Sequence, residues 1–449
     1  MTAAQAALRI SNAVILTMND RFDVVEGSIV IDDHGRIVSV GPGSGKDQPC
    51  KREIDAGHGY VLPGFVQTHV HLCQTLFRSF ADDLPLLEWL RRRVWPMEAA
   101  HTPATLRAAA RVAAAELLLS GTTSVLTMET VHDTDVVFET LDEIGLRATV
   151  GKCMMDFDAE VPARLKEETQ RSIDESLAIA KRWHGAHDGR LRAAFAPRFA
   201  VSCSRELLEA VASLSAADRS LVHTHASESR DEIEVVRRLS GGRSNLEYLA
   251  DTGLASDRLC VAHCVWVTDD EQALLAERNV KVMHCPGSNL KLGSGIAPVV
   301  EMRRRGISVS LGSDGAACNN HLDMFGEMRL AATLQAMRRE PGALPARDVV
   351  WMATREGARA LGLETEIGSI EPGKRADLIL VDRHRLHSAP DADPWSTVVY
   401  AARATDVRLA MIDGEILVEN GTLVGHDEHA IAAEGRAAAR VVATRAGVL

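Results

Sequence analysis

The chain has 449 residues, 46% hydrophobic and 25% charged, proportions of a globular protein and not of a disordered, collagenous or membrane-bundle chain. Its 62 acidic side chains against 50 Lys and Arg give a net charge of −12, which repels phosphate backbones and anionic lipid, so neither nucleic acid nor membrane is expected as a partner. No apolar run reaches the roughly 18 residues of a bilayer span, the first residues carry no secretory pattern, and eight scattered cysteines without a CxxC pair fit a reducing cytoplasm without disulfides.

The first sixty residues read as short strands at 13–17, 28–31, 37–40 and 60–62, parted by turn-forming clusters. From about 63 to 362, β-branched runs alternate with amphipathic helical stretches. The runs lie at 64–68, 123–128, 147–151, 192–196, 221–224, 259–262, 281–283 and 308–311. Eight strand-then-helix units fit a closed (β/α)8 barrel, the TIM barrel, better than an open sheet of five or six strands. Strands return at 377–381, 407–412 and 415–418, the last two joined by Asp413-Gly414, and the Ala/Arg-rich run 432–445 reads as a terminal helix. The predicted organisation is α/β. A small β-sandwich is built from both chain ends (1–62 and 366–425) beside a barrel at 63–365, with a helix in 426–449.

Barrel chemistry sits at the C-terminal ends of strands. The first barrel strand ends in Thr68-His69-Val70-His71, and residues i and i+2 of a strand point the same way, so both imidazoles can meet one metal ion. The fifth strand carries His223 and His225; geometry admits either. His225 is favoured because it lies nearer the mouth and places Glu228 where the chain turns into its loop, leaving His223 one layer lower as a supporting or packing residue. The sixth strand ends in His263 and the eighth leads into Asp314. Three imidazoles and a carboxylate suit Zn²⁺ and Fe²⁺ alike, and one divalent ion is expected, Zn²⁺ as the leading candidate and Fe²⁺ as the alternative.

With these residues the chain resembles the amidohydrolase superfamily, in its branch of guanine- and adenosine-type deaminases and triazine hydrolases. The likeness runs from Val61-Leu62-Pro63-Gly64-Phe65 to Ile367-Gly368-Ser369-Ile370-Glu371-Pro372-Gly373-Lys374. It implies one divalent metal held by His69, His71, His225 and Asp314, with no carboxylated lysine, His263 beside the site and Glu228 as proton shuttle. Hydrolytic deamination then follows: metal binding draws the pKa of water towards neutrality, Asp314 accepts its proton, and Glu228 protonates the ring nitrogen and then the departing amine. The resemblance also implies a homodimer or larger homo-oligomer.

Two groups of segments point to different substrates. Cys285-Pro286-Gly287-Ser288-Asn289, Ser313-Asp314-Gly315-Ala316 and Leu87-Glu88-Trp89-Leu90 with Trp95-Pro96-Met97-Glu98 are similar to methylthioadenosine/S-adenosylhomocysteine deaminases. That likeness implies that Trp89 lines a nucleoside pocket and that Glu98 accepts from the ribose hydroxyls. Ala196-Pro197-Arg198-Phe199 and Gln74 are instead similar to guanine deaminases, and the Arg198 guanidinium suits a carbonyl or ring nitrogen. The leading expectation is deamination of methylthioadenosine, S-adenosylhomocysteine or 5′-deoxyadenosine. The alternative is a guanine-type base or an s-triazine, for which Glu98 would be dispensable. A catalytically dead scaffold is disfavoured, because all four ligands and Glu228 are retained.

Overall fold

The structure, a computed structural model, describes residues 6–45, 49–158 and 160–449. Eight parallel strands follow one another in sequence order around a barrel: Phe65–Val70, Thr122–Met128, Arg147–Met154, Leu191–Pro197, Val222–Ala226, Leu259–His263, Lys281–His284 and Val309–Leu311. They are buried on both faces along most of their length, as expected of a parallel sheet enclosed by helices. First and last strands are joined mainly through side chains: Thr68 Oγ1 lies 2.8 Å from Ser310 Oγ and donates to the Leu311 carbonyl at 3.0 Å. Just beyond the strands, Asp314 N donates to the His69 carbonyl at 3.0 Å. Gly312 permits this approach, since a Cβ there would lie 2.6 Å from the His69 carbonyl oxygen.

The remaining strands come from both chain ends and form one nine-stranded sheet, in which Tyr60–Pro63 pairs with Leu378–Val381 and Ala6–Leu16 with Val24–Ile31. Its edge near Ile37 turns back to the segment around Lys374, with Ile37 N on the Lys374 carbonyl at 2.8 Å, and the inward faces enclose a small core of their own, including Ile10, Ile29, Ile31, Leu378 and Met411. Strand Cys50–Asp55 was not anticipated; its exposed Lys51, Arg52 and Glu53 give no apolar alternation to read. Sheet and barrel are tied by a buried fork. Arg147, opening the third barrel strand, donates to Asp377 at 2.7 and 3.0 Å and to Asp413 at 2.6 Å.

The C-terminal helix Glu428–Arg445 packs on Pro103–Leu119, where Gly435 lies so close to Val112 that a Cβ would meet its methyl at 2.6 Å. Among the described residues, no helix is long and apolar enough to cross a membrane.

Candidate active site

The strand ends bring His69, His71, His225, His263 and Asp314 together at the C-terminal mouth. Each of the four imidazoles is anchored through Nδ1. That of His71 donates to the Met128 carbonyl (2.7 Å) and that of His225 to the Arg198 carbonyl (2.7 Å). That of His263 meets Asn289 Oδ1 (2.8 Å), and that of His69 meets His223 Nε2 (2.6 Å). Carbonyls only accept, so in the neutral rings of His71 and His225 the proton is on Nδ1 and Nε2 carries a lone pair. Those lone pairs converge: Nε2 of His71 is 3.3 Å from Nε2 of His225, and Asp314 Oδ1 is 3.3 Å from Nε2 of both His69 and His71. His69 Nε2 and His263 Nε2 are buried without a hydrogen-bond partner. A cation fits this donor set; a hydrogen-bond network does not.

The electrostatics agree with ligand chemistry. Burial holds His69 down at about 4 and lowers His71 and His225 as well, keeping the imidazoles unprotonated. Burial alone would raise Asp314, but His69, His71 and His263 hold it well below the usual carboxylate range. For His263 burial opposes the charge, yet Glu228 and Asp314 outweigh it and the pKa rises. Glu228 is pushed up to about 7, chiefly by burial, with Asp314 and Glu232 adding to the rise. Its carboxylate lies 3.4 Å from His263 Nε2 and accepts from Ser294 Oγ at 3.3 Å. His263 and Asp314 both adopt positive φ, 74° and 63°, a costly backbone state for non-glycine residues that is typical of functional positions.

A narrow cleft opens above these groups. Trp89, Leu86, Leu90, Phe199 and Leu292 form its apolar wall, and Gln74, Arg198 and Glu228 its polar groups. Trp89 arrives on the short helix Leu86–Trp89, followed by a wide π-helical turn, Leu90–Val94, and the helix Trp95–Ala100 that carries Glu98. Glu98 is not among the cavity-lining residues. Its carboxylate takes both arms of the Arg198 fork (2.6 and 3.2 Å) and the Gln74 amide (3.0 Å).

Several contributors escape sequence reasoning. Glu129, buried and pushed up to about 7 by burial, accepts from the backbone N–H groups of Leu72 and Cys73 and so holds the turn that follows His71. Ser288 donates to Asp314 Oδ2 at 2.7 Å, and Asn289 orients His263. The only signal for these two was the Cys285-to-Asn289 segment, without a role attached. A second acidic group, His132 with Glu167 and Glu175, is filled by the Lys152 ammonium, 2.5 Å from Glu167.

A parallel barrel whose strand ends gather four imidazoles and a carboxylate at the floor of a cavity defines a hydrolase with a candidate metal centre. The amidohydrolase family model matches residues 60–417. The chain is 42% identical over 409 residues to a 5′-deoxyadenosine deaminase of Methanothermobacter thermautotrophicus, covering 90% of this chain and 92% of the relative. It is 40% identical over 441 residues to a 5-methylthioadenosine/S-adenosylhomocysteine deaminase of Symbiobacterium thermophilum, covering 97% and 99%. The solved structure of a zinc-bound adenosine deaminase from Xanthomonas campestris superposes with a TM-score of 0.92 at 33% identity, covering 98% of this chain and 99% of that one. The chain belongs to the amidohydrolase family. It is a hydrolase of C–N bonds, a deaminase.

Proposed function

We propose that the protein deaminates an adenosine-type nucleoside with a modified 5′ group, such as 5′-deoxyadenosine, methylthioadenosine or S-adenosylhomocysteine, to the inosine form and ammonia. The observation that carries the reading is the convergence of unprotonated His69, His71 and His225 with ionised Asp314 beside a Glu228 that titrates near neutrality. His69, His71, His225 and Asp314 would hold one divalent ion, Zn²⁺ foremost. Bound there, it acidifies water and polarises the oxygen being formed.

The chain's own residues do the rest. Asp314 accepts the proton of the attacking water; its Oδ1 faces the imidazoles of His69 and His71, and its Oδ2 is held by Ser288. Glu228, pushed up to about 7, gives a proton to the ring nitrogen as the carbon becomes tetrahedral, passes the proton of the new hydroxyl to the departing amine as the carbon–nitrogen bond breaks, and is restored by the proton that Asp314 took from water. Water adds, ammonia leaves, and the ring carbon ends as a carbonyl. His263 lies between Glu228 and Asp314 and holds the oxygen side of the reacting carbon. Trp89 and Phe199 supply flat apolar surface for the heterocycle and exclude water.

Support for a cytoplasmic setting comes from the eight free cysteines, seven of them buried. A homo-oligomer is part of the same reading, tested by sedimentation. The functional test is ammonia release by zinc-loaded protein from adenosine, its 5′-deoxy, 5′-methylthio and homocysteinyl forms, guanine, 8-oxoguanine and aminotriazines. Turnover of the 5′-modified adenosines is expected; turnover confined to bases or triazines would replace the nucleoside reading with the base one.

A further inference from the structure

The Glu228 carboxyl is held at both oxygens. Its Oε2 lies 3.4 Å from His263 Nε2, and its Oε1 accepts from the hydroxyl of the buried Ser294 at 3.3 Å. A Glu side chain can turn about several bonds, and a proton donor works only while its aim is kept. The chemistry of a hydroxyl suits this place. By rotating about one bond it donates to a carboxylate or accepts from a carboxylic acid, so it pairs with Glu228 before and after the proton has moved; an ammonium could pair only with the ionised form.

Main-chain contacts place that hydroxyl. Ser294 lies between Gly293 and Gly295, which adopt φ of 67° and 129°. Past the end of the helix Pro286–Lys291, the N–H of Ser294 returns to the Asn289 carbonyl at 2.8 Å, and the Asn289 side chain meets His263 Nδ1 at 2.8 Å. Asn289 thus holds one partner of Glu228 by its side chain and the other by its main chain. The Trp266 indole N–H donates to the Ser294 carbonyl at 2.7 Å, and Trp266 N donates to the Ser227 carbonyl, next to Glu228, at 3.0 Å. The indole lies so close to this turn that a Cβ on Gly295 would come within 3.0 Å of it. Trp266 is 37% exposed, carries the Arg230 guanidinium 4.0 Å from its ring and is not among the residues lining the cleft. A large indole left partly in water, with its N–H committed to one carbonyl, serves that carbonyl and not the substrate.

We propose that Ser294 and Trp266 are positioning residues of the proton shuttle: the Trp266 indole fixes the Ser294 carbonyl, which aims the Ser294 hydroxyl at Glu228 Oε1 and so keeps the carboxyl beside His263 in both of its protonation states. The proposal rests on Glu228 as the shuttle in the deamination given above.

The experiment is a double-mutant cycle on zinc-loaded protein, run with the best substrate of the panel named above, so that failure of the nucleoside reading leaves it standing. Ser294→Ala should lose about 10- to 100-fold in kcat, with KM within about threefold of wild type and zinc content unchanged. In a Glu228→Gln background the same substitution should cost less than about threefold, because the group it positions no longer moves a proton. Trp266→Phe keeps a ring and drops the N–H; it should lose about 3- to 10-fold in kcat alone and little further in Ser294→Ala. Ser294→Ala without a kcat loss, or with equal losses in the two backgrounds, overturns the proposal, and a serine that only packs gives one of these results. A Trp266→Phe loss that persists in full in Ser294→Ala overturns the role of Trp266. Should Ser294→Ala fold poorly, Ser294→Cys, of similar shape and with a weak donor, goes through the same cycle under the same criteria. A loss below about tenfold in Glu228→Gln by itself removes the shuttle and this proposal with it, a result told apart from the others because that single variant decides it.

Discussion

Replacing Glu228 by Gln tests the proton economy of the site. The carboxyl is 3% exposed and flanked by His263 Nε2 at 3.4 Å and the Ser294 hydroxyl at 3.3 Å, so an amide of the same shape keeps the packing and one hydrogen bond. With its midpoint at about 7, Glu228 is half protonated at neutral pH and can both give and take a proton; Gln can do neither. A positioned acid or base is worth about 10²–10⁴ in rate, or about 3–5 kcal/mol of barrier. Steady-state ammonia release should show kcat reduced by that factor, with KM and zinc content nearly unchanged. The protonated carboxyl is the donor, so wild-type kcat should fall as pH rises through about 7, and this limb should be missing in the variant. A 6-chloro analogue, whose leaving group needs no proton but whose ring nitrogen still does, should also lose rate, though less than the amine. A kcat loss on the amine below tenfold would refute the assignment of Glu228 as proton shuttle, and equal losses on both substrates would confine its role to the ring nitrogen.

Three further outcomes are expected. His223→Ala removes the partner of His69 Nδ1 and should weaken zinc about 10- to 100-fold in a chelator competition; affinity within threefold of wild type would make His223 a packing residue only. Arg147→Met leaves Asp377 buried and unpaired and should cost about 3–5 kcal/mol in urea denaturation, whereas Arg147→Met with Asp377→Leu should recover much of it. Glu327, buried behind Asp314 and accepting from Gly287 N and Asn319, is pushed up to about 8, chiefly by burial. A raised carboxyl favours the folded state while protonated, so its contribution is full below about 4.5 and is lost as pH rises to about 8. The stability advantage of wild type over Glu327→Gln should therefore shrink from pH 5 to pH 8; a constant difference would refute the shift.

What the sequence discloses is set by the range of each interaction. Strand alternation is a two-residue rule, so His69 and His71 are legible as a pair aimed one way, and Glu228 follows from its distance to the end of its strand. The same rule cannot separate His223 from His225, because both point inward and only depth in the barrel divides them: one reaches the cavity, the other His69 Nδ1. Glu98 and Arg198 stand 100 residues apart, and neither neighbourhood carries a mark of the other. Backbone partners are less visible still. The Glu129 carboxyl holds two main-chain N–H groups beyond His71, and the Arg198 carbonyl holds His225; in each pair one partner is main chain and leaves no residue-type signature. Residue types thus disclose the donor atoms, while their aim depends on pairings across the barrel that appear only once the strands have closed.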